Sequence, residues 1–397
     1  MNIPVATALT TLALTAPALA AQAGFKDRLD AVIDRAIADQ TIVGTVILVA
    51  EDGRIVYRRA AGFADREAGV PIRENAIFRF ASMTKPIVAV TALRLVEEGK
   101  LKLDDPVTQY LPDFRPKLAG GREPVITIRQ LMDHTSGLSY GFLQPADGPY
   151  HKANISDGLD QPGLSIEENL RRIATVPLSF EPGTAWEYSV GIDVLGAVLA
   201  KATGKTLPEL VSENVTGKLG LKDTAFSVSD RARLAVAYGD AQPPVRMDGP
   251  HVVPFFDGGV SFAPDRIFDP ASYASGGAGM AGTADEYMSF LETLRKGGSP
   301  LLKAASVKLL SDNQIGDIVV TATPPGWGFS LGFSVLKDLA AAGSPQSAGT
   351  WQWGGVYGQS WFVDPERKLT VVALTNTAHA GMMGAFPDGV RDAIYGK

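Results

Sequence analysis

Residues 44–62 read GTVILVAEDGRIVYRRAAG, and this segment decides the fold class. Two runs rich in β-branched residues meet at Asp52-Gly53, a pair that tolerates the positive-φ positions of a tight antiparallel hairpin, so a sheet begins early in the chain. The last hundred residues repeat the pattern. WGFSLGFSVL (327–336), WQWGGVYG (351–358) and QSWFVDPERKLTVVALTNT (359–377) read as strands, with turns at paired glycines and at Pro365. Working outward, Leu29, Val32, Ile33 and Ala36 share the spacing of one helix face, and further helical patterns fall at 85–98, 166–174, 192–202 and 284–295. Long Pro/Gly-rich loops at 141–163 and 242–274 separate them, and loops of that length in a compact protein are functional surface. The simplest architecture is an α/β unit made from both chain ends (25–100 plus 284–397), with a mostly helical region, 101–283, inserted between them. The cleft between the two is the default binding site.

Composition narrows the chemistry. The chain has 397 residues, 45% of them hydrophobic and 20% charged, which predicts a sizeable core, more than one simple packed unit. A net charge of −6 with no lysine/arginine block excludes nucleic acid and anionic membrane as partners. Absence of cysteine excludes disulfides, thiolate nucleophiles and thiolate-held metal, and the four histidines show no H-E-x-x-H spacing, so neither a metal nor another cofactor is expected. Residues 1–24, MNIPVATALTTLALTAPALAAQAG, are uncharged, with small residues at Ala18/Ala20 and Ala21/Ala23 where a signal peptidase could cut, although no Lys or Arg precedes the apolar run. Cleavage would make the protein periplasmic or secreted; without it the chain stays cytoplasmic. No later apolar run reaches membrane-spanning length, so no stable membrane association is expected.

Three segments could carry chemistry. Ser82-Met83-Thr84-Lys85 opens a helix, and side chains three residues apart on a helix share a face, which brings an amine within reach of a hydroxyl proton. Pro86 fits only in the opening turn. Glu181 to Ser189 forms a turn into the helix GIDVLGAVLAKATGK, with Ser189 as the expected N-cap and Tyr188 on the loop before it. A phenol there can exchange protons if a neighbouring ammonium depresses its pKa. In Trp353-Gly354-Gly355-Val356, paired glycines let a ligand or another backbone approach a strand closely, and a backbone N–H there can complete an oxyanion hole with that of Ser82.

Taken together, these segments resemble the serine hydrolases built like class C β-lactamases and penicillin-binding proteins, and most closely the family VIII carboxylesterases. The likeness also covers RLDAV, REAG, TKPIVA, HTSGL, DVLGAV, SGGAGM, SWFVD and LTNTA, from about Phe25 to Tyr395. It implies an antiparallel sheet flanked by helices and no cofactor. By the resemblance Ser82 is the acylated nucleophile, Lys85 and Tyr188 handle protons, the Ser82 and Val356 amides form the oxyanion hole, and Trp353, Gly354 and Gly355 contact a small ester. Where the β-lactamases carry Tyr-x-Asn this chain has Tyr188-Ser189-Val190, and where they carry Lys-Thr-Gly it has Trp353-Gly354-Gly355. An amide and a cation suited to a lactam antibiotic are gone, and an indole cannot replace a charge-assisted hydrogen bond. The expectation is a short-acyl carboxylesterase. An amidase, peptidase or weak β-lactamase of the same fold, and a non-catalytic penicillin-binding module, are the alternatives.

Four other patterns compete. Gly328-Phe329-Ser330-Leu331-Gly332 matches G-x-S-x-G with Asp364 and His379 downstream in triad order, but a nucleophile elbow needs a strand, a sharp turn and a helix, whereas this stretch continues extended. Residues 277–282 match G-x-G-x-x-G without a preceding apolar strand and read as a small-residue turn capped by Thr283. Thr203-Gly204-Lys205-Thr206 lacks the first glycine of a phosphate loop, so Gly204 reads as a helix terminator. His134 and Ser136 are neighbours that seldom point at one another.

Overall fold

The computed structural model describes residues 24–256 and 258–397; the expected export signal lies outside them apart from Gly24. Strands β1 (Gly44–Glu51) and β2 (Arg54–Asp65) form the expected hairpin. Asp52 and Gly53 take φ of 49° and 82°, the two positive values the turn requires. With β3 (Val70–Pro71), β4 (Trp327–Phe329), β5 (Ser334–Leu336), β6 (Trp351–Gly355), β7 (Gln359–Asp364) and β8 (Leu369–Thr375) they build one antiparallel sheet of order β4-β5-β6-β7-β8-β1-β2-β3. The chain ends meet at its centre, where Val46 pairs with Leu374 and Leu48 with Val372.

Both faces of the sheet are covered, which is why β1 and β8 read as nearly continuous apolar runs rather than alternating ones. On one face, helices α1 (Phe25–Ala38) and α5 (Ala385–Tyr395) lay Leu29, Ile33, Val390 and Ile394 against Ile47, Val49 and Val371. Each of those buried side chains contributes about 1.5–3 kcal/mol. The other face holds Val46, Leu48, Val372 and Leu374 against helix α4 (Ala284–Arg295), and the same apolar cluster takes in helix α2 (Thr84–Glu97). The same apolar cluster continues through helix α3 (Gly191–Thr203) and the rest of the 101–283 region, so that region shares a core with the sheet. No helix among the described residues is long and apolar enough to cross a membrane.

Local signals resolve as their chemistry requires. Gly204 ends α3 with φ 71°, and the Thr283 hydroxyl caps α4 through the Glu286 amide at 3.3 Å. Ser189 is not the cap of α3: Val190 holds that position, while the Ser189 hydroxyl accepts the Gly191 amide at 3.3 Å and bonds His134 Nδ1 at 3.1 Å. The G-x-S-x-G stretch is a strand–turn–strand, β4 pairing with β5, with no helix after the serine.

Candidate active site

Ser82 sits in a single 3₁₀ turn, Ala81–Met83, that runs into α2. Ala81 has φ 46°, unfavourable for a residue with a Cβ, and the surroundings hold it there. The Phe80 amide donates to the Met280 carbonyl at 2.8 Å, the Met280 amide to Thr84 Oγ1 at 3.1 Å, and the Tyr287 hydroxyl to the Met83 carbonyl at 3.1 Å. From the other side β6 presses in at Gly355, where a Cβ would collide with the Phe80 carbonyl oxygen. Glycine there permits the close approach that brings Val356 to the same cavity as Ser82. Gly355→Ala is therefore expected to push β6 away from the serine turn and lower kcat about 100-fold with KM nearly unchanged. Ester kinetics alongside far-UV circular dichroism check it; wild-type kcat in a folded variant would contradict it.

Lys85 is 1% exposed. Its Nζ lies 3.1 Å from Ser82 Oγ and donates to the Gly277 carbonyl at 2.8 Å. A Cβ at Gly277 would strike the Asp193 carboxylate and lie 2.9 Å from the Tyr140 hydroxyl, so only glycine lets that carbonyl reach the amine. Burial pulls the Lys85 pKa down to about 7, against the attraction of Asp193 and Asp157. Tyr188 completes the group: it lines the same cavity as Ser82, and its hydroxyl accepts from Trp353 Nε1 at 3.4 Å. With Lys85 uncharged, the Ser82 hydroxyl can donate to its amine, while the Trp353 N–H donates to Tyr188.

The expected depression of the Tyr188 pKa does not occur. Burial raises it, and hydrogen bonds with Ser82 and Trp353 only partly offset that. The Lys85 nitrogen stands over the Tyr188 ring, 4.5 Å from its centre, and burial favours the neutral amine. Of the pair, Lys85 is the group that titrates near neutrality.

Ser82, Tyr188, Trp353, Gly354 and Val356 line one cavity of about 550 Å³. Sequence reasoning missed most of its aromatic wall. Tyr140 and Phe142 stack at 4.6 Å, Phe142 meets Phe255 at 5.8 Å, and Trp186 lies parallel to Tyr188 at 6.3 Å. The two long loops supply much of this, with Phe142, Asp157, Phe255 and Phe256 all lining the cavity. Asp157 accepts the Gly141 and Phe142 amides at 2.8 and 3.0 Å and fixes that turn; burial raises its pKa to about 7. The loops' length and composition were the signal available; none marked these individual residues.

The competing constellations do not assemble. Ser330 is fully buried, its hydroxyl donating to the Phe333 carbonyl at 3.0 Å and accepting the Phe333 amide at 3.2 Å. Asp364 accepts from Ser347, Arg367 and the Tyr395 hydroxyl, while His379 packs on Phe255 at 4.7 Å. Among the described residues no hydrogen bond joins any two of the three. His134 turns to Ser189, not Ser136, and its ring edge meets Tyr188 at 4.9 Å.

The Beta-lactamase family model matches residues 29–393. Esterase EstB of Burkholderia gladioli is 50% identical over 98% of this chain and 98% of its own. Lovastatin esterase of Penicillium rubens is 28% identical over 93% of this chain and 98% of its own. Among solved structures, EstCE1, a hydrolase with promiscuous acyltransferase activity, superposes with a TM-score of 0.91 at 44% identity, covering 95% of this chain and all of its own.

Proposed function

This chain belongs to the Beta-lactamase family, and on that premise we propose that it is a serine carboxylesterase hydrolysing small, short-acyl esters through an acyl-enzyme on Ser82. The observation that carries the reading is the buried Lys85 amine, uncharged above about pH 7 and 3.1 Å from the Ser82 hydroxyl. Lys85 takes the Ser82 proton as Oγ attacks the ester carbonyl, and the oxyanion is held by the Ser82 and Val356 amides. The tetrahedral intermediate collapses with cleavage of the C–O bond to the alcohol. Tyr188 gives its proton to the departing alkoxide and recovers one from Lys85, so the proton lost by Ser82 ends on the alcohol. Water then attacks the acyl carbon, its proton passing through the same pair to the Ser82 oxygen as the acid departs. The esterase and hydrolase names of the relatives support this reading.

Ester is favoured over lactam by the wall around Ser82, where Tyr140, Phe142, Phe255 and Trp353 present apolar rings. A p-nitrophenyl butyrate kcat/KM at least about 100-fold above that for nitrocefin is expected, the worth of one missing charge-assisted hydrogen bond. Equal or faster nitrocefin turnover would make the protein a β-lactamase; one stoichiometric burst without turnover would make it a penicillin-binding module.

A further inference from the structure

A second cavity, of about 490 Å³, lies behind the serine-bearing segment and shares Leu159 and Ala278 with the wall of the catalytic cavity. Arg79, three residues before Ser82, lines it together with Arg231 and Arg266. Most arginines in this protein hold carboxylates, as Arg58, Arg59, Arg233 and Arg246 do. These three are in no ion pair among the described residues. Arg79 donates only to backbone oxygens, Nε to Pro264 at 2.9 Å and Nη1 to Ala235 at 3.1 Å. Arg266, 8% exposed, donates Nε to the Asp160 carbonyl at 3.1 Å and Nη2 to the Tyr273 carbonyl at 2.8 Å. The Arg231 guanidinium lies 3.9 Å over the Phe268 ring. A guanidinium carries five N–H donors, so Arg79 and Arg266 each keep three uncommitted. The acid in the lining, Asp269, is taken up by the Ala271 amide and the Ser272 hydroxyl, both at 2.9 Å. The carboxylates of Asp265, Asp160 and Asp269 stand near enough to attract Arg79 or Arg266 but accept a hydrogen bond from neither, so the uncommitted N–H donors have no acceptor among the described residues and a bound anion would supply one. Phe226, Val228, Ile267 and Met280 give the same space an apolar side.

We propose that this cavity is a second ligand site, for a small organic carboxylate: its head on Arg79 and Arg266, its apolar body against Phe226 and Ile267. The proposal does not depend on the role given to Ser82. Crystals soaked in 4-iodobenzoate are expected to show anomalous iodine density in this cavity, and titration calorimetry is expected to show saturable benzoate binding at least about 10-fold tighter than that of neutral benzamide. Arg79→Met and Arg266→Met should each weaken benzoate about 10-fold. Iodine confined to the catalytic cavity or absent, benzamide binding as well as benzoate, or density in crystals without saturable binding in solution would each overturn the proposal. The location and charge-preference tests use the wild-type protein and decide the matter even if either variant fails to fold.

Discussion

Ser82→Ala is expected to lower ester kcat by at least about 10⁴-fold, whereas Ser330→Ala leaves turnover per folded molecule near wild type. The asymmetry follows from where the two hydroxyls sit. Ser82 lines the catalytic cavity with an amine at 3.1 Å and the Tyr188 phenol in the same wall. Ser330 has no exposed surface and closes its own turn onto Phe333. Removing that second hydroxyl leaves the buried Phe333 amide without its side-chain acceptor and should cost about 1–2 kcal/mol of stability, seen as a lower melting temperature and not as lost chemistry. Initial rates on p-nitrophenyl butyrate, normalised to folded protein by circular dichroism, separate the two effects. Full turnover by Ser82→Ala with none by Ser330→Ala would assign the reaction to the competing triad instead.

Why one serine was legible and the other a decoy is a matter of local geometry. The S-x-x-K pattern carries its own spatial content, because three residues on a helical face leave little freedom in how far apart the two side chains stand. The G-x-S-x-G pattern carries none until a helix follows the serine, and β5 follows instead. The hairpin at Asp52-Gly53 and the helix ending at Gly204 were legible for the same reason: a positive φ is a constraint on one residue, visible without knowing the fold.

What the sequence withheld is what depends on residues distant in the chain. Tyr140 stands beside Tyr188, and Phe255 beside Phe142, only because segments far apart in the chain meet, and no periodicity encodes that meeting. The Tyr188 pKa went the other way for a related reason. From sequence, the proximity of Lys85 suggested a charge next to a phenol; the structure adds burial of both and puts the amine over the ring face, and desolvation then dominates the Coulomb attraction. Ser189 differs from its expected capping role for the same reason: His134, 55 residues away in the chain, shares its hydroxyl.

The Lys85 titration gives the second large effect. Its pKa is lowered to about 7 by burial, so the uncharged amine that accepts the Ser82 proton makes up about 1% of the protein at pH 5, about 10% at pH 6, and most of it above pH 8. Log kcat/KM should therefore rise with unit slope through acid pH and level off just above neutrality. It should not begin a second rise before strongly alkaline pH, because burial holds the Tyr188 proton on. Lys85→Met should lower kcat/KM by about 10³-fold or more. Lys85→Arg should fare no better, because a guanidinium keeps the positive charge but cannot give up its proton; that variant distinguishes a base from a fixed cation. Asp193 attracts the ammonium form, so Asp193→Asn should lower the Lys85 pKa further and move the acid limb to lower pH, the opposite of what damage to the site would be expected to do. A profile flat from pH 5 to 9 would remove Lys85 from the proton path, as would an active Lys85→Arg variant, and the Tyr188 hydroxyl would then have to act alone against its own burial.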